Sequence, residues 1–554
     1  MGIITAMFLF FAATMVVFLM INRGFWVFTD VSKSLSMFML EKALGPAIDF
    51  AEGRKESGSM TWIMHGISWL IAASTLTFCG LWLKHDENAL HSLAAWGLSP
   101  TSESLILAGN LSSIYGAVGM LMIGAGLHIV PSLGGTKLAS ERNASLMSFV
   151  WTFSVIVMII GVHNPEILGL KVLLISNLIW SLSMTAIAVN FLLTAASRTR
   201  KMPLPAWLII LGMLSLPTSL GVILLLGMFD SEIGHWIIVR QISGGFFFMQ
   251  IAGISLYAAS KGTGNPLWSG SLAAVTLFGA LFTLNPLGFT SGSISADFFG
   301  LDYGSFEPSR NDIISGSFLL ALSSIPIIAL SSNTLVTMRG DDVFMENPDS
   351  PGMPEINLGA LMLVPLGIGS LFVQTDYLTG TGELEGISTS LTLMVIWLIM
   401  VPLTLGASLS IFPDVCGRNL LSSNRSRWAF WLISGGAFTG LMITLMADFT
   451  EIALSEAAVE ESSPISGQLR SIGAVLFYGC VIGSILHCLN FISGSFRGSL
   501  ISEENSSTAT SIERTSYNLT SGTTIRKILA GGANLDTEIV PNSQSESPGG
   551  PTEL

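Results

Sequence analysis

Thirteen stretches of about 20 apolar residues recur along this chain, bounded by Gly, Pro, Asn or a charge, and each matches the thickness of a bilayer's hydrocarbon core. Nothing constrains the fold more. Inside a membrane every backbone N–H and C=O must find a partner within the protein, which leaves helices or closed barrels. Unbroken apolar runs without period-two alternation select the helix. The first candidate helix covers roughly 4–22. Twelve more, near 61–83, 112–131, 146–163, 167–195, 206–228, 234–260, 266–289, 312–335, 357–374, 388–413, 427–449 and 468–494, form a core. Only 11% of the 554 residues are charged, against about a quarter in soluble domains, so the expected fold class is an all-α polytopic membrane protein. A net charge of −13 gives no basic footprint for nucleic acid. Cys79, Cys416, Cys480 and Cys488 lie scattered in apolar stretches without CxxC spacing, and no Walker loop or HExxH motif occurs.

The charges predict a topology, because short loops rich in Lys and Arg stay cytoplasmic. Of the 24 Lys and Arg, 19 fall on one side of the thirteen spans and two, Lys84 and Arg310, on the other. Lys171, Arg240 and Arg470 lie within spans or at their ends. The N-terminus is therefore expected outside and the C-terminal tail in the cytoplasm of a cell carrying this protein in its plasma membrane. The division of the chain reads as 1–60, an N-terminal transmembrane helix and interfacial segment; 61–494, the twelve-helix membrane core; and 495–554, a Ser/Thr/Asn/Gly/Pro-rich disordered tail. The opposite loops are acidic, with Asp86, Glu87, Glu103, Asp230 and Glu232 among them. Such a face suits solvation, or a basic soluble partner.

Three stretches resemble the catalytic subunit I of the haem-copper oxidases, nearest to the cbb-type cytochrome c oxidases and nitric oxide reductases. Tyr115-Gly-Ala-Val-Gly-Met, Ile129-Val-Pro-Ser and Glu141-Arg-Asn-Ala-Ser-Leu-Met-Ser-Phe149 are similar to the family's second helix, its "VP" end and its "RLNALSFW" stretch. Ile233-Gly-His235, Tyr257-Ala-Ala-Ser-Lys261 and the run from Pro266 to Leu272 are similar to its sixth-helix opening, "YxxPK" end and "RPxYSxxLS" stretch. Phe412-Pro413 through Gly417-Arg418 to Leu420, then Arg427-Trp-Ala-Phe-Trp431, are similar to "LPRxxGRRL … HFW". The resemblance covers about residues 60–495 and implies a twelve-helix haem-copper-oxidase-like core plus one extra N-terminal helix.

It also implies metal positions, and the residues there differ from the family's. Histidines on the second and tenth helices hold haem in the family. Here Tyr115 stands at the first position and Leu391 and Leu393 at the other two, and leucine has no donor for iron. His235 matches the copper ligand of the sixth helix, while Leu287-Gly288 replaces the His-His pair that follows the seventh-helix Gly-Pro. One imidazole does not make a copper centre. His65, His128 and His487 are expected toward the inner side, and His85, His91 and His163 toward the outer, too dispersed for a shared site. No catalytic residue and no cofactor is predicted.

Polar groups inside spans are read both ways. Arg240, five residues beyond His235, marks either an ion or proton path or an Arg paired with an outer carboxylate or a helix-end carbonyl. The serines of the eighth core helix, Ser315 to Ser332, either line a proton path, as the resemblance implies, or let helices approach. Lys171 and Arg470 are expected to snorkel outward, and no Asp or Glu is expected mid-span. Three functions remain open: a degenerate, non-catalytic membrane subunit of a respiratory electron-transfer complex; a divergent working terminal oxidase holding haem and copper on relocated ligands; and a secondary transporter. The partners expected are the lipid bilayer, other membrane subunits and, at the acidic face, a basic soluble protein.

Overall fold

Each apolar run coincides with a helix in the computed structural model, which describes residues 2, 5–17, 19–20, 55–92, 99–228, 231, 234, 237–238, 240–283, 309–338, 351–379, 384–457, 462–501, 515–516 and 540–541. Among the described residues, eleven helices are long and apolar enough to cross a membrane. They are α2 (Ser57–Leu83), α3 (Ser102–Gly134), α4 (Glu141–His163), α5 (Val172–Ala196), α6 (Leu204–Leu225), α7 (Gln241–Thr263), α9 (Arg310–Thr337), α10 (Met353–Asp376), α11 (Gly386–Cys416), α12 (Ser423–Leu454) and α13 (Ile465–Arg497). The described residues also include two shorter apolar helices, α1 (Thr5–Val17) and α8 (Gly270–Leu281). The chain is a predominantly helical, multi-pass membrane protein.

Burial divides these helices into a centre and a surround. The most apolar windows of α3, α7 and α11 are wholly buried, whereas those of the other eight spans are between 33% and 56% buried. The three enclosed helices touch one another pairwise. Around them, α2 packs on α3, α4 and α13; α4 on α5; α6 on α7; α8 on α9; α9 on α10; and α12 on α13 and α11. Large apolar side chains of the surround face outward, including Phe149 on α4, Leu182 on α5, Phe318 on α9, Phe372 on α10 and Trp431 on α12. In water such a surface would aggregate; in lipid it is matched.

Local chemistry sets the helix ends. Thr101 caps α3, its hydroxyl accepting from Ser104 N while the Ser104 hydroxyl accepts from Thr101 N. That cap starts α3 ten residues before the predicted span at 112, because Glu103 and Asn110 dilute an apolar window that the helix nevertheless includes. At the other end, all three central helices stop at a left-handed glycine: Gly135 (φ 61°), Gly264 (φ 71°) and Gly417 (φ 72°). Each central helix also carries a π-helical segment: Ser112–Val118, Gln241–Phe248 and Ile396–Met400. Such wide turns shift the backbone pairing by one residue and redirect carbonyls toward neighbours.

The described β structure is slight. Glu166–Ile167 pairs antiparallel with Leu170–Lys171 between α4 and α5, turned by Leu168 and Gly169, both at positive φ. Thr515–Ser516 pairs with Val540–Pro541 in the C-terminal tail, most of which lies outside the described residues, as does the expected interfacial segment up to residue 54.

Candidate functional site

The residue at the expected haem position on α3, Tyr115, sits in the π-helical segment and is fully buried. Its ring meets Trp180 of α5 edge-on at 5.6 Å and Phe247 of α7 at 5.8 Å. Trp151 of α4 packs against Trp180 at 5.2 Å and stacks on Phe246 at 6.5 Å. The Trp151 indole N–H donates to the Tyr115 carbonyl at 2.7 Å. Trp62 of α2 extends the cluster, 5.4 Å from Trp151. Each well-oriented aromatic pair adds about 0.5–1.5 kcal/mol beyond simple burial. On α11, Leu393 is fully buried and Leu391 packs against the same core.

The resemblance implies a haem at these positions and a copper beside it. Iron needs imidazole, thiolate, thioether or phenolate donors. Two of the three positions carry leucine, and the third carries a tyrosine whose ring is enclosed by other rings. At these three positions the residues do not fit a haem group. His235 and Leu287-Gly288 lie outside the described residues. Among the described residues no set of three or more His, Cys, Asp or Glu is arranged to hold a metal ion. His65 lies 3.1 Å from Ser148, and His85, His91 and His163 are exposed.

The polar chemistry gathers instead where the three central helices end. Helices separated by three up-and-down neighbours run parallel, so α3, α7 and α11 present their C-termini together and sum their negative dipole ends. His128 of α3, Lys261 of α7 and Asp414 of α11 meet there with Glu56, the N-cap residue of α2. His128 Nδ1 lies 3.0 Å from Glu56 Oε2, and its Nε2 is 3.7 Å from Asp414 Oδ2. Lys261 pairs with Asp414 and donates to the Ser410 carbonyl at 3.0 Å. Glu141 of α4 accepts from the backbone N–H groups of Glu56 and Gly58 at 2.9 and 2.8 Å, which fixes the start of α2. The left-handed backbone at Glu56 (φ 65°) is strained for a non-glycine residue. A chain of alternating acid and base of this kind can lock the helix ends and hold protons.

We expect the Lys261–Asp414 pair to show coupling. Lys261→Met and Asp414→Asn made together should cost less than the two changes made singly, by about 1 kcal/mol or more in a double-mutant cycle of detergent-solubilised stability. Strict additivity would mean that the pair is held apart by solvent.

A second cluster occupies the opposite end. Asp448 of α12, its side chain 2% exposed, receives Arg470 of α13 at 3.2 Å and Lys84, just past α2, at 3.5 Å. The Ser390 hydroxyl at the start of α11 donates to the same carboxylate, and Arg470 also pairs with Glu451. One expectation is corrected here. Arg470 does not snorkel but turns inward, because Asp448 and Glu451 lie within its reach. Two carboxylates are buried at the ends of spans, Asp448 and Glu355 of α10 (4% exposed), because the helices extend beyond their apolar windows and carry polar ends into the bundle.

Arg240 is 4% exposed and directly precedes the π-helical segment of α7, whose Ser243 hydroxyl donates to its carbonyl at 3.1 Å. The eighth-core-helix polar residues act as staples. Ser331 donates to the Ala360 carbonyl of α10 at 2.7 Å, and the Asn333 amide pairs with both the N–H and the C=O of Ser269. Sequence reasoning missed Glu56, Asp414 and Asp448. Glu56 and Asp414 lie near Lys or Arg at the ends of their helices, and Asp448 lies at the end of its apolar run with no basic residue close in sequence. Comparison with known proteins adds no relative: no family model matches the chain, and no curated protein matches it.

Proposed function

We propose that this chain is a structural or accessory subunit of a respiratory electron-transfer complex, built on a haem-copper-oxidase-like scaffold that has lost its redox centres. The observation that carries this reading is the aromatic packing around Tyr115 together with buried Leu393, both at positions where the resembled family places haem ligands. Two further features support it. The helices on which the resemblance places the haem ligands and the first copper ligand, the second, tenth and sixth of the core, are the three whose apolar windows are enclosed. Two of the stretches that carry the resemblance, Tyr257–Lys261 and Phe412–Leu420, are joined by the Lys261–Asp414 ion pair, which ties the ends of α7 and α11 together. On this reading the N-terminus faces outside, the tail lies in the cytoplasm of a plasma-membrane protein, and the acidic outer loops are open to a basic soluble partner.

An accessory subunit is recognised by its company. When the tagged chain is drawn gently from its own membrane, native electrophoresis with mass spectrometry should place it in a larger assembly with haem-bearing subunits. Migration as a lone chain under conditions that keep other respiratory complexes whole would overturn the reading.

A further inference from the structure

Two loops at the end of the bundle where α3 and α5 finish are laced into one surface. The Gly134 carbonyl accepts from the backbone N–H groups of Thr199 and Arg200 at 2.9 and 3.2 Å, and the Thr199 hydroxyl donates to the Gly135 carbonyl at 2.8 Å. Asn190 of α5 pairs with both the N–H and the C=O of Ser140, at 3.2 and 2.8 Å, and the Thr194 hydroxyl accepts from Ala139 N at 3.0 Å. Gly135, at positive φ, lets the loops close, since a Cβ there would meet Arg200 Cγ at 3.1 Å. The lacing gathers four exposed cations, Lys137 from the first loop and Arg198, Arg200 and Lys201 from the second. Arg198 serves the fold: it donates to the Ala195 carbonyl at 2.9 Å and lies 5.8 Å over the Trp207 ring. Lys137, Arg200 and Lys201 form no ion pair among the described residues. The nearby acids are taken, because Glu56 faces His128, Asp414 pairs with Lys261 and Glu141 accepts from two backbone N–H groups.

An uncompensated patch of one sign attracts an anion, and its depth says which. Leu146 is the first exposed residue of α4, 55% exposed and facing outward. Five residues at about 1.5 Å each place it roughly 7–8 Å from the helix start, about the thickness of one headgroup layer. The laced loops therefore sit where lipid phosphates sit, and half-buried Trp207 beside them suits the same interface. We propose that Lys137, Arg200 and Lys201 form a docking site for the phosphate of an anionic phospholipid in the leaflet at this end of the bundle. Because both loops are fixed by hydrogen bonds, the three cations are held ready and little order is lost on binding. The site is independent of the respiratory reading, since it needs no redox centre and no partner subunit.

Native mass spectrometry of the full chain, released from micelles holding equal amounts of phosphatidylglycerol and phosphatidylcholine, reads the retained lipid directly. The wild type should keep phosphatidylglycerol in preference. Each cation near a membrane surface is worth about fivefold in affinity, so Lys137→Gln, Arg200→Gln and Lys201→Gln together should cut that preference by about tenfold or more. Arg497→Gln, which removes an exposed cation at the same end but on α13, should leave it unchanged. Equal retention of both lipids by the wild type would overturn the site, and an equal loss on Arg497→Gln would replace it by a diffuse field. Displacement of phosphatidylglycerol by a tetraglutamate peptide would assign the patch to an acidic protein and overturn it as well. If the triple variant does not fold, the wild type decides alone. Raising ammonium acetate from about 0.05 to about 0.5 M should weaken the preference several-fold, because exposed charges are screened, and a salt-independent preference would contradict the proposal.

Discussion

Asp448→Ala is expected to lose about 3–5 kcal/mol of stability, the cost of leaving buried charge uncompensated when one partner of an ion pair is removed. Two cations depend on this carboxylate, Arg470 and Lys84, and the Ser390 hydroxyl donates to it. Its side chain is 2% exposed, so water cannot take its place. The loss should read out as a lower midpoint in thermal or denaturant unfolding of the solubilised protein. Removing the charges together should be far milder, because apolar replacement of a whole buried pair is often neutral. Asp448→Leu combined with Arg470→Met and Lys84→Met should recover most of the deficit. If Asp448→Ala alone left stability within about 0.5 kcal/mol of the wild type, as exposed sites do, the cluster would be solvated and the packing of α11, α12 and α13 described here would be wrong.

Trp151→Ala should cost about as much, 3–5 kcal/mol or so for a large buried aromatic, and for a different reason. Its ring touches Trp62, Trp180 and Phe246, and its N–H satisfies the Tyr115 carbonyl. Truncation opens a cavity where the surround meets the central helices and removes the indole's hydrogen bond to the Tyr115 carbonyl, worth about 0.5–1.5 kcal/mol. Trp151→Phe keeps most of the ring and should cost roughly half as much. Equal losses for the two variants would place the whole effect on the hydrogen bond and none on the packing, contrary to a densely filled centre.

The helices were legible in the sequence because a bilayer imposes one length and one composition on every span, and each of the thirteen apolar runs coincides with a helix. Their ends were less legible. α3 begins at Ser102 because Thr101 caps it, a side-chain effect that an apolar window cannot see. The distinction between centre and surround was not readable from hydropathy at all, since α4 and α6 are as apolar as α11 yet face lipid in part. The site was half legible. Tyr115, Leu391 and Leu393 stood out by their place in a pattern, but the aromatic rings that fill the space around Tyr115 come from α4, α5 and α7, far apart in sequence. The ion pairs were invisible for the same reason: Lys261 and Asp414 are 153 residues apart, and His128 and Glu56 are 72 apart. Arg470 was misread because a lone Arg near a span end gives no hint of an acid on the neighbouring helix.

On the proposed reading, packed side chains stand where the resembled family holds its haem ligands. The most direct measurement is the absorbance spectrum of the purified, dithionite-reduced protein in alkaline pyridine, with protein content measured on the same sample. The account predicts no haem above trace stoichiometry, since leucine at two of the three ligand positions offers iron no donor. A spectrum that returned about two haems per chain would contradict it and make the chain a working oxidase with relocated ligands.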